Sequence, residues 1–286
     1  MNRNNRSFST SEDIHQCPVC TSRAIEAIFP PTVSMCKSCK LIFRSRRPTQ
    51  DEIQASYDSD ETFSSWEEQY TERHTMWSRR VKLIQGFSTG SKLLDIGTGD
   101  GHFLDIARES GFCCEGTEFS NAGKSRAEKL GFKIHFGQLM ELNLPADSFD
   151  IVTIWHVLEH VPNPGDILKD VFRILKPGGI IAVAVPNEEN LLFRWRIRKT
   201  SVNPLGEHEW GKEIHLTHFQ PQTLRRSIRR NGFGLTYFGV DDVYGNRNFR
   251  NMSVLNLHKI FSLLSGWHFS IAMICVAQKP VSRLGE

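Results

Sequence analysis

The chain has 286 residues, of which 39% are hydrophobic and 23% are charged, and its 35 Lys and Arg exceed its 32 Asp and Glu by only three. These proportions are typical of a globular protein, and the longest apolar runs are too short to span a bilayer, which excludes a membrane-spanning bundle. The weak positive charge neither requires nor excludes a nucleic-acid partner. Because the first thirteen residues lack the apolar core of a signal peptide, we expect a cytoplasmic protein with reduced cysteines.

The N-terminal region contains two pairs of cysteines. Residues 1–13 are polar and predict a flexible tail. Residues 14–47 then hold two C-x2-C pairs, fifteen residues apart: Cys17, Cys20, Cys36 and Cys39. This spacing is typical of a zinc ribbon in which four thiolates close a tetrahedral site, so we expect a structural zinc rather than a catalytic one. The alternative is a set of four unrelated buried thiols.

Four basic residues follow or flank the second cysteine pair: Lys40, Arg44, Arg46 and Arg47. Ribbons of this kind can bind RNA, but this cluster has no aromatic platform beside it. The pattern therefore favours a solvated face of the ribbon over an RNA-binding surface.

Residues 48–90 predict a helical lid or linker. Thr49 can cap a helix that begins near Gln50, where two acidic residues suit the positive end of the helix. A second helix is predicted for 66–87 from its apolar positions at steps of three and four residues. This helix either packs on a sheet edge or closes over a ligand.

A glycine-rich turn begins at the end of an apolar run. Asp95 closes the run Lys92–Ile96, and glycines follow at positions 97, 99 and 101. Glycine allows unusual backbone angles and the close approach of a ligand, and the next helix offers free N–H groups. The dinucleotide fingerprint G-x-G-x-x-G would require glycine at position 102, which is His102.

Strands and helices alternate after this turn, which predicts an α/β fold with a parallel sheet covered by helices. The predicted strands are Lys92–Ile96, Phe112–Thr117, Lys133–Phe136, Phe149–Ile154, Ile180–Val185, Leu235–Val240 and Ile271–Ala277, and a helix is predicted for 251–264 between the last two. Glu118 follows the second strand, about twenty residues beyond the glycines, where a carboxylate can accept both hydrogen bonds of a ribose diol.

The glycine turn, Glu118, the segment 149–160 and the Leu-Lys-Pro-Gly-Gly turn at 175–179 resemble class I S-adenosylmethionine (SAM) methyltransferases, especially bacterial ubiquinone-type and sugar or natural-product enzymes. The resemblance implies a Rossmann-like sheet of seven mostly parallel strands with helices on both faces in 91–286, and SAM as cofactor. It places the cofactor beside Asp95, Gly97, Thr98, Gly99, Gly101, Glu118, Phe119, Gln138, Leu139 and Trp155.

Four histidines are candidate catalytic residues. His156 and His160 follow the fourth strand at the carboxyl edge of the sheet, where ligands of such sheets bind. His215 and His218 lie in 187–220, which is long enough to predict a substrate lid. Histidine can remove the proton of a hydroxyl acceptor near neutral pH. The His-x-x-His pair also suggests a metal, but the sequence shows no third ligand at helical spacing.

The predicted activity is SAM-dependent transfer of a methyl group, most simply to oxygen, on a small or carrier-linked hydroxylated acceptor such as a sugar, quinone or natural product. Arg194, Arg196 and Arg198 in the lid suggest that the acceptor is anionic. Two alternatives remain open: an RNA methyltransferase that uses the ribbon to hold RNA, and a non-catalytic scaffold that binds SAM.

Overall fold

A computed structural model describes residues 11–29, 32–57, 70–188, 215–241 and 272–281. The predicted helix 251–264, most of the predicted lid and its three arginines lie outside these residues. The strands are β1 (Ser11–Asp13), β2 (Ile25–Phe29), β3 (Val33–Cys36), β4 (Ile42–Arg44), β5 (Arg46–Pro48), β6 (Lys92–Ile96), β7 (Cys113–Glu118), β8 (Lys133–Phe136), β9 (Phe149–Trp155), β10 (Leu175–Pro186), β11 (Thr217–His218), β12 (Gly234–Val240) and β13 (Ala272–Gln278). The helices are α1 (Gln50–Tyr57), α2 (Tyr70–Gln85), α3 (His102–Glu109), α4 (Asn121–Lys129), α5 (Pro164–Ile174) and α6 (Pro221–Arg230).

Seven strands form the main sheet, in the order β12-β13-β10-β9-β6-β7-β8. Five strands, β10, β9, β6, β7 and β8, are parallel to one another. Strand β13 lies between β10 and β12 and is antiparallel to both. This is the predicted Rossmann-like sheet, and the antiparallel pairing of the last two strands is confirmed. All parallel strands end at one edge, so the residues that follow β6, β7, β9 and β10 lie side by side there.

Helices cover both faces of the sheet because its central strands are apolar on both sides. Leu93 of β6 and Ile151 of β9 pack on the face covered by α2 and α3. Their neighbours Leu94 and Val152 pack on the opposite face, against α5 and α6. The fold therefore has the three-layer organisation that the sequence predicts.

Strand β10 is longer than the predicted strand Ile180–Val185. It begins at Leu175, and its pairing with β9 shifts register between Leu175 and Ile180. The Lys-Pro-Gly-Gly segment is thus a bulge within the strand, with Gly178 at φ +81. Turn residues do not by themselves show whether pairing resumes in the same strand.

The cysteine-rich segment forms a second sheet, in the order β11-β4-β3-β2. Its strand β11 comes from the His-x-x-His segment, with Thr217 opposite Phe43 and His218 opposite Ile42. Residues 11–13, predicted as part of a tail, form β1 and pair with β5. The N-terminal sheet therefore includes a strand from the C-terminal end of the predicted lid, 187–220.

The prediction that the basic cluster forms a solvated face is wrong for two of its four members. Arg44 and Arg47 are only 6% and 7% exposed. Arg44 Nε donates to the carbonyl of His215 at 3.1 Å, and Arg47 Nη1 donates to the carbonyl of Pro162 at 2.8 Å. These guanidinium groups bind backbone carbonyls of the main domain. Among the described residues, no helix has the length and apolarity needed to cross a membrane.

Candidate active site

The glycine turn between β6 and α3 adopts a left-handed backbone at three alternate positions. Gly97, Gly99 and Gly101 have φ of +72, +60 and +82. A Cβ on Gly97 would lie 2.5 Å from Cγ2 of Val157, which follows β9. The backbone of the turn therefore approaches the segment after β9 more closely than any side chain would allow.

Asp95 lies beneath this turn and is 2% exposed. Thr153 Oγ1 donates to Asp95 Oδ1 at 2.6 Å, and Thr98 Oγ1 donates to the carbonyl of Asp95 at 3.1 Å. Burial raises the pKa of Asp95 to about 8, although the hydrogen bond from Thr153 opposes this shift. A neighbouring cation would favour the ionised carboxylate.

Glu118, at the end of β7, faces the glycine turn. Its Oε2 accepts the N–H of Gly99 at 2.8 Å, and its Oε1 accepts the N–H groups of Phe119 and Ser120 at 2.9 and 2.8 Å. The carboxylate thus joins the loops after β6 and β7. Each carboxylate oxygen has two lone pairs, so Oε2 can accept a further hydrogen bond from a ribose hydroxyl. The left-handed glycine turn and these two acids fit an adenosyl amino-acid cofactor.

Three other predicted cofactor residues lie at this edge in different surroundings. Gln138 precedes a short 3-10 turn, Leu139–Glu141, whose Leu139 is buried. Trp155 is also buried, with its ring centroid 5.3 Å from that of Phe103 and 6.3 Å from that of Trp77. The Trp155 ring therefore belongs to an aromatic cluster between β9 and helices α2 and α3.

Helix α2 sends two arginines to this edge, and the sequence reasoning missed both. Arg73 pairs with Asp100 of the glycine turn through two contacts, one of them 3.0 Å from Nη2 to Oδ1. Arg80 forms a bidentate ion pair with the buried Asp241, and its guanidinium lies 4.6 Å from the ring centroid of Trp77. Both arginines share a helix face with Trp77, since they are seven residues apart. A basic residue within an apolar helix face is the signal that could have found them.

His156 belongs to the same network and has an unusual backbone, with φ +54. Its Nε2 lies 3.1 Å from Asp241 Oδ2, and its Nδ1 lies 3.5 Å from Glu159 Oε1. Desolvation lowers the pKa of His156, but the two carboxylates outweigh it and raise the pKa to about 9. The two carboxylates therefore favour the protonated ring, while Arg80 Nη2, 3.1 Å from the same Nε2, opposes it.

The other three histidines surround two buried glutamates. His160 Nε2 lies 3.8 Å from Glu159 Oε1. His215 Nδ1 and His218 Nδ1 lie 3.8 and 3.4 Å from Glu188 Oε1. The rings of His160 and His215 meet edge to face, with centroids 4.8 Å apart. We call these five residues the His/Glu cluster.

The structure thus brings all four predicted histidines to the carboxyl ends of β9 and β10. The side chains of His160 and His215 are 12% and 13% exposed, whereas His218 is 2% exposed. Glu188 was missed because it directly follows β10, far from either His pair in the sequence. An acid that closes an apolar strand is the same signal that identified Asp95 and Glu118.

The four cysteines of the ribbon also come together. Their sulfur atoms all lie within 4.8 Å of one another, and the Cys17–Cys39 and Cys20–Cys36 sulfur pairs are both 3.5 Å apart. These distances are far longer than the S–S bond of about 2.05 Å in a disulfide. They are close to the edge of about 3.8 Å of a tetrahedron with zinc–sulfur bonds of about 2.3 Å.

Known proteins share both the sequence and the fold of this chain. A family model described as a methyltransferase domain matches residues 69–237, more than half of the chain. A demethylmenaquinone methyltransferase of Staphylococcus aureus is 33% identical over 182 residues, which are 57% of this chain and 76% of that protein.

Two solved structures of SAM-dependent methyltransferases are similar to the chain at 20% identity. The one from Thermotoga maritima has a TM-score of 0.57 and covers 79% of this chain and 99% of that one. The one from Methanosarcina mazei has a TM-score of 0.52 and covers 70% and 98%. The fold is therefore shared, and the family match and the fitted site agree with it: the chain belongs to the methyltransferase-domain family and is a SAM-dependent methyltransferase.

Proposed function

We propose that this methyltransferase methylates an oxygen of a small or carrier-linked hydroxylated acceptor. The observation that carries the proposal is the His/Glu cluster at the carboxyl ends of β9 and β10. Strand β9 is the neighbour of β6, and Val157, one residue after His156, contacts the position of Gly97. The segment after β9, which carries His156 and His160, thus passes beside the glycine turn.

The cofactor site is proposed to consist of the residues that the resemblance indicates. Glu118 would accept one ribose hydroxyl through Oε2, and the turn 97–101 would bind the amino-acid end, with Asp95 beneath it. When bound, SAM supplies an electrophilic methyl group on a positively charged sulfonium. Arg73 and Glu118 both hydrogen-bond to the turn, and a backbone fixed in this way reduces the entropic cost of positioning the donor.

Among the four histidines, we assign the base to His160. The raised pKa of His156 makes it a donor and a positioning residue, and His218 is too deeply buried to meet an acceptor. His160 and His215 are both partly exposed and each lies 3.8 Å from a buried glutamate, and we choose His160 because it follows β9, the neighbour of β6. The carboxylate of Glu159 can stabilise the imidazolium that forms when the acceptor proton arrives.

A small acceptor is favoured over RNA by two observations. The S. aureus relative is named for a quinone-type substrate. Arg44 and Arg47 are buried against backbone carbonyls, so half of the basic cluster of the ribbon is not available to phosphates. Membership of an enzyme family likewise favours catalysis over a scaffold role. Arg194, Arg196 and Arg198 lie outside the described residues, so their binding of an anionic group on the acceptor stays a prediction.

We further propose that the ribbon, residues 14–47, holds a structural zinc, because four thiolates leave no open coordination position. Residues 48–90 would then be the linker to a methyltransferase domain at 91–286, with the acceptor lid at 187–220. Within this linker, the Arg73 contact to Asp100 indicates that α2 supports the cofactor turn.

The test uses a panel of quinols and nucleotide sugars, with release of S-adenosylhomocysteine as the readout. We expect His160→Gln to lower kcat at least a hundredfold and to leave the SAM Kd unchanged, since general bases contribute about 10²–10⁴-fold. His135→Gln is the matched control, because His135 also pairs with a glutamate but lies outside the His/Glu cluster. His135 is on β8, and its Nε2 lies 2.7 Å from Oε2 of Glu115 on β7. Full activity of His160→Gln would refute the assignment of the base, and RNA as the sole methylated acceptor would refute the substrate class.

A further inference from the structure

We propose that Glu188, His215 and His218 form a binding site for a zinc-class divalent metal ion, separate from the four-cysteine site. Two imidazoles and one carboxylate are ligands that zinc and its first-row neighbours share. The missing third ligand of the His-x-x-His pair is thus Glu188, which the fold brings to it from the end of β10. This inference goes beyond the proposed function and does not depend on which residue is the base.

The distances within the site are compatible with metal coordination, although His218 and Glu188 also form a long hydrogen bond with each other. Glu188 Oε1 lies 3.4 Å from His218 Nδ1 and 3.8 Å from His215 Nδ1, longer than the 2.7–3.2 Å typical of N–H···O bonds. One ligand atom from each of the three residues lies within 4.8 Å of the others. A tetrahedron with metal–ligand bonds of about 2.0–2.1 Å has edges of about 3.3 Å. The two distances to Glu188 therefore exceed a tetrahedral edge by only about 0.1 and 0.5 Å.

The burial of the ligands also suits a metal. The side chains of His218 and Glu188 are 2% and 3% exposed. Buried polar groups of this kind are paired with each other or coordinate a metal.

A second buried carboxylate points toward the same place. Glu159 is 1% exposed, and in the described part of the chain neither of its carboxylate oxygens has a hydrogen-bond partner. Its ligand atoms lie within 4.8 Å of those of His160 and His215, so His215 is common to both acids. Glu159 already faces His156 and His160, so an ion bound at Glu188 and His215 would have this second carboxylate close by without needing it as a ligand.

Three protein ligands leave at least one coordination position for water or an acceptor oxygen, as in catalytic rather than structural zinc sites. The partly exposed side of His215 is where this position would open. The ligands also come from the end of β10 and from the strand that joins the ribbon sheet. A bound ion would therefore fix the ribbon-side strand to the main sheet.

The test measures zinc per chain, after the full-length protein has been loaded with zinc and excess metal has been removed by gel filtration. We expect two zinc ions per wild-type chain and one in Glu188→Gln and His215→Ala. His135→Gln should keep two. Loading with cobalt adds an independent signal: the first ion should give the thiolate charge-transfer band of the ribbon, and the second should add ligand-field bands without it.

Circular dichroism and SAM affinity confirm that each variant is folded, so a lost ion is not confused with a lost fold. Glu188→Gln is nearly isosteric, which protects the test if His215→Ala disturbs the site. One zinc per wild-type chain, or a second ion that both variants retain, would overturn the proposal. None of these readouts uses methyl transfer, so failure here is distinct from failure of the proposed base.

Discussion

Gly97→Ala should destabilise the glycine turn and weaken SAM binding through two separate effects. The first is backbone strain, because Gly97 has φ +72 and a left-handed conformation costs an L-residue roughly 1–2 kcal/mol. The second is a collision, because the new Cβ would lie 2.5 Å from Cγ2 of Val157. Optimal carbon contacts are about 3.5–4.0 Å, so the turn or Val157 must move by about 1 Å. Overpacking of this kind costs about 1–3 kcal/mol, for a total of about 2–5 kcal/mol.

The control is Gly111→Ala, since Gly111 has φ +93 and nothing lies within 4 Å of its added Cβ. Gly111→Ala should lose only the roughly 1–2 kcal/mol of stability that backbone strain costs, and it should bind SAM with wild-type affinity. Val157→Ala in the Gly97→Ala background should remove the collision and leave a loss similar to that of Gly111→Ala.

Urea unfolding gives the free energy of unfolding, and calorimetry gives the SAM Kd. We expect Gly97→Ala to weaken SAM binding at least tenfold, which corresponds to about 1.4 kcal/mol. If Gly97→Ala matched Gly111→Ala in both measurements, the turn would not depend on close approach to Val157, and the reasoning would fail.

Three further predictions concern the supports of the site. Arg80→Met should lower the free energy of unfolding, measured in urea, by about 3 kcal/mol. This is the low end for a broken buried ion pair, because His156 still faces Asp241. Adding Asp241→Asn should restore part of the lost stability. The raised pKa of His156 stabilises the folded state fully below the unfolded pKa of about 6.5, and this stabilisation is lost as pH rises through about 9. The difference in the free energy of unfolding between wild type and His156→Asn should therefore shrink between these two pH values. A constant difference would contradict this reasoning. Gly165→Ala would place a Cβ 2.5 Å from the carbonyl oxygen of Val19, which lies between Cys17 and Cys20 of the ribbon. This collision should displace the ribbon, so chelators should remove its proposed zinc faster than from wild type while the SAM affinity is unchanged. Equal rates of zinc removal in the two proteins would refute a close ribbon contact.

The central sheet and the glycine turn were predictable because their signals are local. The strand Lys92–Ile96 needs only an apolar run of strand length, and the turn after it needs only glycines at alternate positions. The predicted and observed bounds of β6 and β8 are identical. Long apolar strands leave few alternatives, since any other arrangement would expose them to water.

The electrostatic contacts were not predictable, because their partners are distant in the sequence. Arg80 and Asp241 are 161 residues apart, and nothing local distinguishes either from a surface charge. The same holds for Arg44, which resembles a solvated residue until β11 lies beside it. Charged residues are buried only when a partner is present, and the partner is supplied by the fold.

The ribbon and the acceptor side of the site are linked through one short strand. Backbone pairing with β4 fixes Thr217 and His218 in register, and the N–H of Leu216 donates to the carbonyl of Glu159 at 2.8 Å. The chain between these partners therefore contacts the ribbon on one side and the segment after β9 on the other. Because a two-residue strand is too short to be stable alone, its position depends on both neighbours. Unfolding the ribbon should then displace His215 and His218 while leaving Glu118 and the glycine turn in place. Removal of the zinc that we propose for the four cysteines should therefore raise the acceptor KM and leave the SAM Kd unchanged.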